Sequence, residues 1–251
     1  MKLYKKLFAF ALAALALTAC DEMEPNERFT GPFRVEFKKN VLIEDFTGQQ
    51  CMNCPFAAEE IHKLQEAYGA DHVIAVSVHG GSNALSETKS PQGLANAQGN
   101  DYVSHWGVSS FPKGWVDRMG TIDDKEKWAA SVINRSAIEP KVGIEVVSHG
   151  YMADANGVET IKLTVKVTGK QNATGKLQVW LTESNVKKYQ LMGDGSRNFD
   201  YIHNHVFRAS ISAPYGDELA VNDGETLSKD YEYQFPDFST LKNKTPWVPA
   251  N

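Results

Sequence analysis

The chain has 251 residues, 42% of them apolar and 23% charged, with 19 Gly and 10 Pro, which suits one large domain or two of ordinary size and excludes a largely disordered, collagen-like or polytopic membrane protein. The formal charge of -5 understates the acidity: without Lys2, Lys5 and Lys6, which lie in a leader segment, 23 basic residues face 31 acidic ones, or -8. With no Lys/Arg run, that balance argues against binding nucleic acid by phosphate neutralisation.

Met1 to Lys6 is a short basic head, and Leu7 to Leu17 is an unbroken apolar run ending at Thr18-Ala19-Cys20. The run is too short for a membrane helix, which needs about 20 residues. Basic head, short apolar stretch and small-residue junction together predict a secretory signal over residues 1–19. Leu17-Thr18-Ala19-Cys20 resembles the bacterial lipobox. That resemblance implies cleavage before Cys20 and acylation of its thiol, palmitate included, which anchors a soluble body stably to a membrane face. The alternative is an ordinary signal with a chance Cys. Residues 20–32 read as a tether, and its acidic start, Asp21 to Glu27, resembles the segments that send lipoproteins of the Bacteroides group to the cell surface.

Two thiols remain, Cys51 and Cys54. In an oxidising compartment a close pair is expected to be a disulfide or a redox couple. Zinc is disfavoured, because neither a second Cys pair nor closely spaced His residues complete a ligand set, and no cofactor is expected. Val41 to Phe46 is a short, mostly apolar run that predicts a buried strand, and Thr47-Gly48-Gln49-Gln50 breaks it. Ala57, Ile61, Leu64 and Tyr68 then form a helical stripe, with Gly69 beyond its end. Pro55 is tolerated only in the first turn, so the helix starts at the Cys pair. The dipole and free N–H groups there favour a thiolate, expected on a more exposed Cys51. His72 to His79 reads as a second strand, completing a right-handed strand–helix–strand crossover.

Strand, Cys-x-x-Cys, helix and strand resemble the thioredoxin fold, with Asp45 six residues before Cys51 and Val108 to Asp117 similar to the segment carrying that fold's cis-proline, here Pro112. The run Glu44 to Pro55, Phe111-Pro112 with Arg118, and Tyr201 to Arg208 resemble the Omp28-related lipoproteins of Bacteroidota, over nearly the whole mature chain. Gln50 replaces the Trp of thioredoxins, and Met52-Asn53 their Gly-Pro, so potential and redox direction do not follow from the resemblance. The resemblance implies Cys51 as attacking thiolate, Cys54 as resolving thiol, Asp45 or Glu44 as buried proton acceptor, and Pro112 lining the substrate groove. Alternation puts Asp45 and Glu44 on opposite faces of their strand, and the matched spacing favours Asp45.

Residues 80–108 are Gly/Ser/Asn-rich and then helical around 93–106, a specificity loop or a plain covering insertion. His79 and His105 read as satisfied polar groups. Asp123 to Ala137 predicts a helix closing the first domain. Beyond Pro140 the apolar pattern turns to period two, at Val142, Ile144 and Val146, at Ile161 to Val167 and at Leu177 to Leu181, with Gly/Asn/Asp turns between. That predicts a β-sandwich. His203 and His205 are expected on one face of a strand, as a hydrogen-bonded pair rather than a metal site. The expected organisation is an α/β thioredoxin-like domain over 33–139 followed by an all-β sandwich-like domain over 140–251, which ends without its last strand or strands.

Two functions remain open at this point. One is a lipoprotein of the outer membrane, at the cell surface or periplasmic face, exchanging thiols and disulfides with unidentified exported proteins. The other is a non-catalytic binding or assembly lipoprotein whose Cys51–Cys54 disulfide is structural. Either requires the anchor: Cys20→Ala is expected to leave an unprocessed or soluble protein, and unchanged detergent partitioning would refute acylation.

Overall fold

The structure, a computed structural model, describes residues 36–155 and 157–236, all within one unit that runs from Glu36. The signal segment, Cys20, the tether and the last residues of the chain lie outside the described residues.

Strand β1 (Val41–Thr47) is followed by helix α1 (Cys54–Tyr68) and strand β2 (Val73–His79), which pairs with β1 in parallel. Helix α2 (Ala97–His105), strand β3 (Lys113–Val116), a 3-10 turn (Lys125–Lys127) and helix α3 (Trp128–Ser136) come next, and β3 runs antiparallel to β1. The peptide bond Phe111–Pro112 before β3 is cis. Period-two alternation divides this core. Val41 and Ile43 of β1, with Val73 and Ala75 of β2, pack against Ala57, Ile61 and Leu64 of α1 and Trp128 and Val132 of α3. Phe46, Val76 and Val78 point the other way, onto Tyr102 and Val103 of α2. Both central strands are therefore buried on two faces, which explains their nearly continuous apolar sequence.

From residue 142 the chain is all strand: β4 (Val142–Ala153), β5 (Glu159–Gly169), β6 (Ala173–Leu177), β7 (Trp180–Glu183), β8 (Val186–Leu191), β9 (Arg197–His203), β10 (Val206–Ser210), β11 (Asp217–Val221) and β12 (Thr226–Gln234). A three-stranded sheet in the order β12-β5-β4 and the pair β11-β6 enclose a second core of Leu163, Val165, Val167 and Leu177. The molecule is mostly β, in several small sheets. Pro140 marks a change of element type, and the sheets run across it. β10 pairs with β2, and β7 with β10, making a single five-stranded sheet in the order β3-β1-β2-β10-β7. The reason is apolar coverage: Phe207 on β10 completes the cluster formed by Phe46, Val78 and Tyr102, its ring 5.4 Å from that of Tyr102. A sequence window contains no trace of such a long-range pairing.

Phe207 is buried in this shared core, so Phe207→Ala is expected to lower unfolding stability by about 3–5 kcal/mol, measured by urea denaturation. A loss under about 1 kcal/mol would mean that β10 is peripheral to the first core.

Candidate functional site

The disulfide joins Cys51 and Cys54 across the turn that starts α1, with Cα atoms 5.4 Å apart. The Cys51 N–H donates to Gly48 O (3.1 Å) and the Cys54 N–H to Cys51 O (3.3 Å). Pro55 occupies the first turn of α1, where its missing N–H leaves no bond unmade. The turn is crowded at Gly48, where an added Cβ would lie 2.3 Å from Asn83 O.

Cys51 is 5% exposed and Cys54 2%, so neither thiol has the exposure the sequence led us to expect of Cys51. The cover is the hairpin of β8 and β9, a long-range contact. Leu191 N–H donates to Gln49 O (2.8 Å), Gln190 Nε2 to Cys51 O (3.0 Å), and Gly193 approaches so closely that a Cβ would sit 2.6 Å from the Phe56 ring. Gln49, which reads in sequence only as part of a strand break, is fully buried and acts as a clamp. Its Oε1 accepts from Leu94 N–H (3.1 Å) and its Nε2 donates to Tyr189 O (3.2 Å). Pro112 lies on another side of the disulfide turn, in a groove of about 440 Å³ shared with Asn53, Phe56 and Phe111.

The two carboxylates of β1 face opposite ways. Glu44 is buried and bound by both arms of Arg118, at 2.6 and 3.0 Å, while the guanidinium stands 5.4 Å from the Trp106 and Trp180 rings. Burial raises the Glu44 pKa despite the opposing pull of Arg118. Asp45 is 1% exposed and faces α1. Its Oδ1 has no hydrogen-bond partner among the described residues, and burial pushes its pKa up to about 8.

Asp45 and Cys54 line one cavity of about 250 Å³, together with His79, Gln190, Tyr201 and His203. His79 is buried, its Nδ1 without a partner of normal geometry among the described residues, while the Ser77 backbone acts on the ring. Its ring meets that of His203 edge-on, centroids 5.3 Å apart. Burial lowers the pKa of both, His203 to about 4. His203 and His205 do not share one strand: β9 ends at His203, His205 takes φ +57°, and β10 begins at Val206. Both still reach the cavity, and His205 Nε2 is 3.2 Å from Gln65 Oε1. His105 instead stacks on Tyr215, 4.2 Å away. No group of three His, Cys, Asp or Glu residues suited to a metal ion occurs among the described residues.

The family described as Outer membrane protein Omp28 matches residues 99–245. The chain belongs to the Omp28 family. Among solved structures it is similar to HBP35 of Porphyromonas gingivalis, with a TM-score of 0.57 and 20% identity over 80% of this chain. This Omp28-family chain covers 65% of that protein's length. A protein of Agrobacterium tumefaciens aligns with a TM-score of 0.45 and 14% identity over 79% of each chain. No curated protein matches. No helix among the described residues is long and apolar enough to cross a membrane.

Because burial raises the Asp45 pKa above its unfolded value, its protonated form favours folding, and that contribution is lost as pH rises from about 4 through about 8. Asp45→Asn is therefore expected to gain stability relative to wild type across that window in urea titrations. Parallel stability–pH curves for the two proteins would refute the shifted carboxyl.

Proposed function

We propose that this Omp28-family protein is a lipid-anchored thiol–disulfide exchange protein acting on exported polypeptides at the outer membrane. β1, α1, β2, the cis-proline segment, β3 and α3 then form a thioredoxin-like unit, and Cys20 carries the anchor. Cys51 is the thiol that attacks and is attacked, Cys54 resolves, Asp45 supplies and takes up the proton of Cys54, and Pro112 borders the groove for the incoming chain. Glu44 is not the proton acceptor in this scheme, because Arg118 engages both of its oxygens.

One observation carries the reading. A buried carboxyl with an unpartnered oxygen is costly to keep in a core, and this one shares a cavity with Cys54. A fixed disulfide requires no such group, whereas a thiol that alternates between bonded and protonated states requires a nearby proton carrier.

The burial of Cys51 favours a second reading, a structural disulfide in a binding or assembly protein. The reduction potential separates the two. Exchange chemistry predicts a value above about -300 mV, the level below which structural disulfides of exported proteins usually lie. It also predicts that Cys54→Ala traps mixed disulfides through Cys51 in cells. A potential well below that level, with nothing trapped, would establish the structural reading.

A further inference from the structure

The cavity behind the disulfide holds Asp45 Oδ1 and His79 Nδ1, buried polar atoms without a hydrogen-bond partner of normal geometry among the described residues, although the Ser77 backbone acts on the His79 ring. They belong to adjacent parallel strands, where Asp45 is registered with Ser77 and Thr47 with His79, so both side chains leave the same face of the sheet. The ring of His203 abuts that of His79. His203 Nε2 lies 3.3 Å from Tyr189 O; a carbonyl only accepts, so Nε2 carries the hydrogen and Nδ1 keeps its lone pair. The cavity opens toward solvent past Glu59 and His62 of α1, whose side chains are largely exposed. At about 30 Å³ per water, its volume admits a short water chain.

We propose that His79 and His203 relay protons between solvent and Asp45 through this cavity, as positioning residues that act on Cys54 only through Asp45. The proposal rests on the exchange reading and extends it to groups that no cysteine motif marks. In the reductive direction an external thiolate attacks Cys51 Sγ, a new S–S bond forms, and the Cys51–Cys54 bond breaks with its electron pair leaving on Cys54 Sγ. Cys54 takes the proton of the Asp45 carboxyl. Asp45 is reprotonated along the relay. The second thiol of the reductant then releases Cys51 as a thiol and leaves as the oxidised disulfide. A neutral imidazole at His79 suits the relay, since it accepts at one nitrogen and donates from the other; His203, whose Nε2–H is held by Tyr189 O, contributes only its Nδ1 lone pair. Burial keeps both rings neutral, reinforced by Arg208, which acts on each. The other titratable groups facing Asp45 are Cys54, Glu59 and His62 from α1, and Tyr201 and His205 from the β9–β10 segment. His205 is held by Gln65 and stands outside the relay.

The test follows reduction of the full-length oxidised protein by dithiothreitol between about pH 5 and pH 9, at constant thiolate concentration. The wild-type rate is expected to fall above about pH 8, as Asp45 loses its proton. Asp45→Asn should slow the reaction about 100-fold at neutral pH and flatten the profile, and His79→Phe should slow it about ten-fold. The double variant should be no slower than Asp45→Asn alone, because residues on one path are not additive. His203→Gln, which keeps a polar group, should act in the same direction as His79→Phe and decides the matter if that variant does not fold. Effects that add to Asp45→Asn, or histidine variants with wild-type rates and profile, would overturn the relay. A low reduction potential with non-additive rates would remove the exchange reading and leave the relay standing, so the two failures are distinguishable.

Discussion

Strand β1 is buried on both faces and carries two adjacent carboxylates, Glu44 and Asp45, each 1% exposed. An ionised carboxylate out of water costs several kcal/mol unless paired or protonated, and alternation forbids one cation from serving both. The structure answers each differently. Arg118 reaches Glu44 from a backbone turn in which Asp117 and Arg118 both take left-handed angles, φ 53° and 51°. Such angles cost about 1–3 kcal/mol each in non-glycine residues. They persist because Asp117 is itself tied down: its carboxylate accepts from Leu42 N–H (2.9 Å) and from Arg135 (3.1 Å). Asp45 receives no cation and keeps its proton instead. The face that pairs its charge is the aromatic one beneath α2, while the face that keeps a proton lies beside the disulfide.

The second half of the chain completes this arrangement. β10 joins β2 through the Ser77 N–H to His205 O bond, 2.8 Å, and brings His203 and His205 to the cavity from a segment more than 120 residues beyond β2. The same return path lays β8 across the disulfide turn. Buried Arg208, bonded to Glu183 at 2.7 Å, fixes β10 to β7. The cavity is therefore built by both halves, and the part of the chain matched by the Omp28 family, residues 99–245, supplies its outer wall and not its cysteines.

The local elements were legible in sequence: the strand before the Cys pair, the helix pinned by Pro55, the second strand and the period-two pattern after Pro140 all follow from short-range rules. Opposite faces for Glu44 and Asp45 followed from alternation alone. The assembly was not legible. The pairing of β10 with β2, the hairpin over Cys51 and the clamp at Gln49 depend on contacts between residues separated by more than 100 positions, and no window carries that information. His203 and His205 misled because a single left-handed residue ended the strand that alternation had assumed.

Cover and reactivity are separate quantities at this disulfide. The hydrogen bonds from Gln190 and Leu191 go to backbone carbonyls of the turn, at Cys51 and Gln49, and not to sulfur. If the pair exchanges as proposed, they raise the barrier to an attacking thiolate, because the hairpin must move to admit it. They alter the potential only if the hairpin packs better on one redox state than on the other, each 1.4 kcal/mol of that difference amounting to about 30 mV. Asp45 acts the other way round. Its proton does not obstruct access; in the proposed exchange it decides whether Cys54 leaves as a thiolate that must be stabilised in a low-dielectric core or as a thiol that fits there without charge. If the pair exchanges as proposed, the hairpin governs which molecules reach the bond, and the carboxyl behind it governs whether breaking the bond is tolerable once they arrive.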